Sequence, residues 1–198
     1  MNISVILAHP RPGSFNHAIA DTAAATLHEA GHSVTVHDLY AEGFDPLLPV
    51  DEIARDAPLS PVIARHCAEI AVANGIVIVH PDWWGMPPAI LKGWIDRVLR
   101  PGIAYKFAST DNGEGIPVGL LRAKAVVVFN TSNTPRDREQ EVFGDPLERI
   151  WKDCIVSFCG VPVCSRRMFG VVVTSTAEQR TAWLEEVQQL VLSTFPRD

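Results

Sequence analysis

The sequence predicts an α/β fold of three layers, a five-stranded parallel sheet with helices on both faces. Three observations lead there. Five short runs are rich in β-branched residues, and segments with helical spacing lie between them. Most of these runs are almost continuously apolar, which is how strands covered on both faces read. Parallel neighbours also need a crossover, and the intervening helical segments supply it.

The first strand is read at Ile3–Ala8 and is followed by a helix with apolar positions at Phe15, Ala18, Ile19, Ala23 and Leu27. Gly31 closes this helix as its C′ residue. The second strand is Ser33–His37, followed by a helix over Val62–Ala73 with Ile63, Cys67 and Ile70 on one face. Ile76–Val79 is the third strand, and Ile90, Leu91, Trp94, Ile95, Val98 and Leu99 form the stripe of the next helix, which Pro101-Gly102 ends. Trp94 sits on this stripe, in the core or an interface. Ala125–Phe129 is the fourth strand, with a helix from Leu147 to Phe158 after it. Val171–Thr174 is read as the fifth strand, and Trp183, Leu184, Val187, Leu190 and Val191 mark the last helix. Five strands in this alternation favour the flavodoxin-like order 2-1-3-4-5. The connections Leu39–Pro61 and Pro101–Lys124 are long, as functional loops often are. Within the second, Gly113-Glu114-Gly115-Ile116-Pro117 reads as a turn.

At 198 residues the chain suits a single domain, 1–198. Hydrophobic residues make up 47% and the net charge is −6, which excludes general disorder and gives no basic stripe for nucleic acid. No apolar run approaches the roughly 20 residues that cross a bilayer, so no membrane insertion is expected. MNISVILAHP has neither a basic start nor a signal-peptidase site, and reads as mature sequence. Cys67, Cys154, Cys159 and Cys164 form no C-x-x-C pair, so buried thiols in a reducing, cytoplasmic setting are expected, and no metal site. The histidines form no ligand set, and neither a hydrolase motif nor clustered carboxylates are visible.

In this architecture ligands bind beyond the carboxyl ends of the strands. After the first strand, His9-Pro10-Arg11-Pro12-Gly13-Ser14-Phe15-Asn16 opens a helix. A helix N-terminus holds phosphate through its orphan N–H groups, and Gly13, Ser14, Asn16 and Arg11 suit that role; a plain Ser14 N-cap is the alternative. After the third strand comes His80-Pro81-Asp82-Trp83-Trp84-Gly85-Met86. Its adjacent indoles can form a platform for a flat conjugated ring, or one can pack beneath the loop while the other is exposed. His9 and His80 end strands and are either ligand contacts or structural. After the fourth strand, Thr131, Ser132 and Asn133 can hydrogen-bond a polar heterocycle, or form an ordinary turn.

The segment His9–Asn16, together with Pro81–Gly102, resembles the NAD(P)H:quinone oxidoreductase family of flavodoxin-like flavoproteins. The specific block is Trp84-Gly85-Met86-Pro87-Pro88-Ala89-Ile90-Leu91-Lys92-Gly93-Trp94, and agreement at this level covers roughly residues 1–107. The resemblance implies that His9, Ser14, Phe15 and Asn16 bind flavin phosphate. Pro81, Asp82, Trp83, Trp84 and Gly85 would cradle the ring system, with Trp84 as the aromatic wall of the substrate pocket. It also implies a homodimer with the site at the interface, near the helix of Ile90–Leu99. One departure stands out. The family's Thr-Thr-Gly-Gly turn and its following Tyr and His are replaced by Asn130-Thr131-Ser132-Asn133-Thr134-Pro135, with no Tyr or His before Cys154. Backbone N–H groups of this turn, or the guanidinium of Arg136 or Arg138, are expected to steady reduced flavin instead. Trp84, Asn133 and Arg136 are thus the expected reaction-side groups.

The activity implied is hydride transfer from NAD(P)H through flavin N5 to a quinone-like acceptor, with ping-pong kinetics. FMN is favoured, because no segment stands out for a second nucleotide, although FAD would place its phosphate alike. The alternative is a flavin-binding electron carrier or regulatory subunit without turnover of its own. A phospho-receiver domain is excluded, because the first strand ends in Ala8-His9-Pro10 without an acid.

Overall fold

The computed structural model describes residues 1–107, 115 and 117–197. The elements run β1 (Asn2–Leu7), α1 (Phe15–Glu29), β2 (Ser33–Asp38), α2 (Pro61–Val72), β3 (Gly75–Pro81), α3 (Ala89–Val98), β4 (Tyr105–Phe107), β5 (Pro117–Gly119), β6 (Ala125–Thr131), α4 (Arg136–Glu141), α5 (Pro146–Arg149), β7 (Cys164–Phe169) and α6 (Ala177–Thr194). A parallel sheet in the order β2-β1-β3-β6-β7 forms the middle layer, as expected.

The register explains the continuous apolar runs. Val5 lies opposite Val77, and Val77 opposite Val127, so odd-numbered residues of β1, β3 and β6 share one face. That face packs Val5, Leu7, Val79 and Phe129 with Ile19 and Leu27 of α1 and Val187 and Val191 of α6. The even face packs Ile6, Ile78 and Val128 with Ile63, Leu91, Trp94 and Trp151. Both faces are covered, so apolar residues dominate at either parity. Trp94 belongs to the core. Ser14 caps α1, and Gly31 follows its end at φ +88°, a conformation that favours glycine.

Four sequence readings need correction. The fifth strand is Cys164–Phe169; Val171–Thr174 lies beyond its end. An edge strand has one sheet neighbour, and this one satisfies its arginines with ions instead of apolar cover. Arg166 pairs with Asp145 at 2.8 Å and Glu148 at 3.1 Å, while Arg167 pairs with Glu186 at 2.7 Å. The helix expected from Leu147 to Phe158 is α5 continued by a wider π-helical segment, Ile150–Val156. The connection after α3 holds the antiparallel hairpin β4–β5. Of the turn expected at Gly113–Pro117, residues 113, 114 and 116 lie outside the described residues. Finally, Cys154 is exposed, whereas Cys67 and Cys159 are buried and Cys164 is half-buried. Burial pushes the thiols of Cys67, Cys159 and Cys164 up to about 11, which leaves them inert as nucleophiles.

The other long connection is clamped onto α3. Arg97 donates to both carboxylate oxygens of buried Glu52, at 3.0 and 2.6 Å, and to Asp45 O at 2.6 Å. Arg100 donates to Glu52 O and Ala54 O. A bidentate pair of this kind adds a charge clamp to the loop's apolar anchors, Leu39 and Phe44.

Candidate functional site

A cavity of about 1000 Å³ opens at the carboxyl ends of β1, β3 and β6. Three chain segments that follow these strands wall it, where this architecture places a ligand.

The first segment brings His9, Arg11, Gly13, Ser14, Phe15 and Asn16 to the cavity. Gly13 has φ +69° with open space where a Cβ would stand. Ser14 is an N-cap: its Oγ accepts from His17 N–H, and lies 2.8 Å from His17 Nδ1. His17 Nε2 in turn lies 3.1 Å from Asp38. With the hydroxyl occupied by these local bonds, anion binding falls to the first-turn N–H groups of α1 and to Arg11. Asn16 is buried and donates to Thr131 Oγ1 at 2.9 Å, while its Oδ1 has no partner among the described residues. Burial holds His9 below the ordinary imidazole value, so it is neutral near pH 7.

The second segment contributes Pro81, Asp82, Trp83, Trp84 and Gly85. Trp83 and Met86 exchange backbone hydrogen bonds of 3.1 and 3.2 Å across a tight turn. Its central residues, Trp84 and Gly85, both have positive φ, 61° and 70°. Trp84 is thereby thrust out, fully exposed at 100%, and Trp83 is partly exposed near His9. Asp82 N–H donates to Thr131 O, and Asp82 Oδ1 accepts from Gly85 N–H at 2.9 Å.

The third segment contributes Thr131, Ser132, Asn133 and Thr134. Ser132 Oγ accepts from Thr134 N–H, and Asn133 Oδ1 accepts from Val173 N–H, both at 3.0 Å. The residues expected at the site border this cavity, except Arg136, its alternative Arg138, and His80. Arg136 and Gln140, one helical turn apart on α4, border a separate cavity of about 300 Å³ beside Arg166. Arg138 stacks over Phe143 at 5.3 Å. The expected guanidinium is therefore in the wrong place, because α4 presents a different side to the larger cavity.

That side is Glu139, which sequence reasoning missed. It is 2% exposed and borders the cavity together with Asp82. Burial raises both carboxyls, and Asp145 opposes each as a like charge while Arg166 pulls the other way. Carboxylates are thus clustered here, contrary to the reading of the sequence. Phe143, Pro146, Val172, Val173 and Arg180 also border the cavity unannounced. Arg180 reaches it from α6, held by bonds to Ser175 Oγ at 2.7 Å and Val172 O at 3.3 Å. Only tertiary packing brings these groups in, and no local pattern signals them.

His80 is structural. It is fully buried, its Nδ1 lies 2.8 Å from Pro81 O, and its Nε2 accepts from Trp151 Nε1 at 3.0 Å. Two other histidines do converge. His37, Glu42 and His66 place ligand-type atoms within 4.8 Å of one another. Trp94 Nε1 donates to His66 Nδ1 at 3.0 Å, so the proton of neutral His66 sits on Nε2, facing Glu42 at 3.0 Å. With its lone pair on Nδ1 committed to the indole, this ring has none left to offer a metal through Nε2.

Among the described residues no helix is long and apolar enough to cross a membrane. The family model of the flavodoxin-like fold matches residues 1–191. An NAD(P)H oxidoreductase of Haemophilus influenzae is 35% identical over 196 residues, covering 96% of this chain and 93% of its own. The NAD(P)H dehydrogenase (quinone) 1 of Rattus norvegicus is 28% identical over 204 residues, covering 91% of this chain and 73% of its own. The structure of an FMN-dependent NADH-azoreductase from Bacillus anthracis in complex with FMN superposes with a TM-score of 0.73 at 16% identity, over 98% of this chain and 99% of its own. The chain belongs to the flavodoxin-like family and is an enzyme of its NAD(P)H oxidoreductase and quinone reductase type.

Proposed function

We propose that the protein is an FMN-dependent NAD(P)H oxidoreductase that reduces a quinone or another flat acceptor by a ping-pong mechanism. The observation that carries this reading is the cavity itself, with a helix N-terminus at one wall and an indole at the other. The residues fit such a cofactor. The first turn of α1, Gly13 and Arg11 would hold its phosphate. The buried, unpartnered Asn16 Oδ1 suits a polar tail, and the backbone of Trp83–Gly85 with Thr131 and Ser132 suits the ring edge. FMN in the Bacillus anthracis relative supports the mononucleotide over FAD.

When bound, the flavin supplies hydride acceptance from NAD(P)H and donation onward. The protein orients the partners and excludes water. Trp84 offers one flat wall on which nicotinamide and acceptor would stack in turn, which is why release of NAD(P)⁺ would precede acceptor binding. Arg180 takes the electrostatic role expected of Arg136. Asn133 serves by fixing Val173 in the wall.

A homodimer is part of the proposal. Leu47, Leu48, Val50 and Ile53 are all exposed on the loop clamped to α3, and exposed apolar side chains so close in sequence suit an interface. Four free cysteines agree with a cytoplasmic setting. The test is the absorbance spectrum of the purified protein, with mass spectrometry of what heat releases. FMN, and NAD(P)H oxidation coupled to menadione with parallel double-reciprocal lines, are expected. A colourless protein that FMN cannot reconstitute would overturn the reading.

A further inference from the structure

We propose that Glu139, a buried carboxyl that borders the cavity beside Asp82, supplies the proton that the acceptor takes up as it is reduced; this rests on the function proposed above. Both side chains border the cavity, one from α4 and one from the end of β3. Glu139 is 2% exposed, and a buried carboxyl beside a second one holds a proton more readily than a lone one, which moves both above the ordinary carboxylate range. Asp82 already accepts the Gly85 N–H at 2.9 Å, which favours its charged form. Glu139 is therefore the acid. Its Oε1 is buried without a partner among the described residues, which costs a neutral carboxyl far less than a carboxylate.

The charges around it keep the proton in place. Asp82 from the β3–α3 loop and Asp145 from the start of α5 oppose ionisation of Glu139, and Arg166 from β7 favours it. Burial is the largest influence and also opposes it. Of the other titratable groups at the cavity, Arg11 and Arg180 are cations with no proton to give near pH 7. Neutral His9 is a far weaker acid there.

The overall reaction needs one proton besides the hydride: NAD(P)H, a proton and a quinone give NAD(P)⁺ and a hydroquinone. The hydride carries both electrons to the acceptor. The Glu139 O–H bond breaks as an O–H bond forms on the acceptor oxygen, and the electron pair of the broken bond stays on the Glu139 carboxylate. Burial and the neighbouring carboxylates disfavour an ionised Glu139, so it recovers a proton from solvent before the next turnover.

Glu139→Gln keeps the shape and removes the acid, and Glu141→Gln on the exposed side of α4 is the control. Three readouts are taken. Infrared spectra of the protein at neutral pH are expected to show a protonated-carboxyl stretch that Glu139→Gln lacks and Glu141→Gln keeps. In stopped flow of the FMN-loaded, prereduced protein, menadione reduction is expected to slow about 100-fold in Glu139→Gln. The wild-type rate of that step falls with rising pH, and this dependence is lost in the variant. Absence of the infrared band, or menadione reduction at the wild-type rate and pH profile in Glu139→Gln, overturns the proposal. If wild-type protein does not bind FMN at all, the reading of the cavity fails and takes the proposal with it.

Discussion

Trp151 donates its indole N–H to His80 Nε2 at 3.0 Å, and both side chains are fully buried under the floor of the cavity. The other ring nitrogen, Nδ1, donates to Pro81 O at 2.8 Å, so the imidazole is neutral with both nitrogens used. Burial lowers its pKa from 6.5 to about 4. The folded value lies below the unfolded one, so this contribution to stability is complete above about pH 6.5 and is lost as pH falls towards 4. The loss amounts to about 3 kcal/mol at one pKa unit per about 1.4 kcal/mol. Urea unfolding at pH 7 and pH 4.5 measures it. His80→Leu is expected to remove this pH dependence and to cost about 2 kcal/mol at pH 7, because the Trp151 N–H is left unpaired. A variant as stable as wild type at pH 7 would sink the idea.

Gly93 lies inside α3, where alanine is ordinarily better by about 1 kcal/mol. Here the sign reverses. A Cβ at this position would stand 2.2 Å from Pro46 O and 2.4 Å from Pro46 Cα, both backbone atoms of the clamped loop. Gly93→Ala must therefore push the loop off the helix, and is expected to destabilise by about 2 kcal/mol. Thermal unfolding checks this, and a raised Tm would contradict the packing.

The same loop carries the buried Arg97–Glu52 pair. Removing one partner strands a buried charge, so Glu52→Ala is expected to cost about 3 kcal/mol. The exposed apolar residues Leu47, Val50 and Ile53 ride on this clamp. Sedimentation of Glu52→Ala is accordingly expected to show a weaker dimer than wild type. Equal dimer affinity would separate the loop from the interface.

What was legible in the chain follows from what each residue answers to. The central strands were plain because Val77 and Ile78 face two dry layers, and only apolar residues serve there. The Trp83-Trp84 turn was plain because adjacent indoles cannot both enter a core. The edge strand was hidden, since Arg166 and Arg167 are satisfied by Asp145, Glu148 and Glu186 from other elements. Arg180 was hidden for a related reason. It belongs to α6, far along the chain from the strand ends, and the packing of α6 on α1 brings it to the cavity. Glu139 sits in a helix of six polar residues, RDREQE, which has no apolar stripe to announce its buried face.

Trp84 is the place where local rule and fold disagree. Its φ of 61° is left-handed backbone, which costs a side-chain-bearing residue about 1–2 kcal/mol. Among the described residues nothing repays that cost, because the indole is fully exposed. Strain of this sort persists where it serves a site. Glycine adopts the same φ freely, at an entropic cost of about 0.5–1 kcal/mol from the unfolded chain. The two effects leave Trp84→Gly equal to wild type in stability or better by about 1 kcal/mol. The wall for nicotinamide and acceptor is gone, however. A stacking contact is worth about 1 kcal/mol beyond its buried area, so kcat/KM for menadione is expected to fall about tenfold or more. Chemical unfolding and steady-state kinetics on the one variant decide the matter. Lower stability would mean that the indole is a packing residue after all, and unchanged kcat/KM would mean that the acceptor stacks elsewhere.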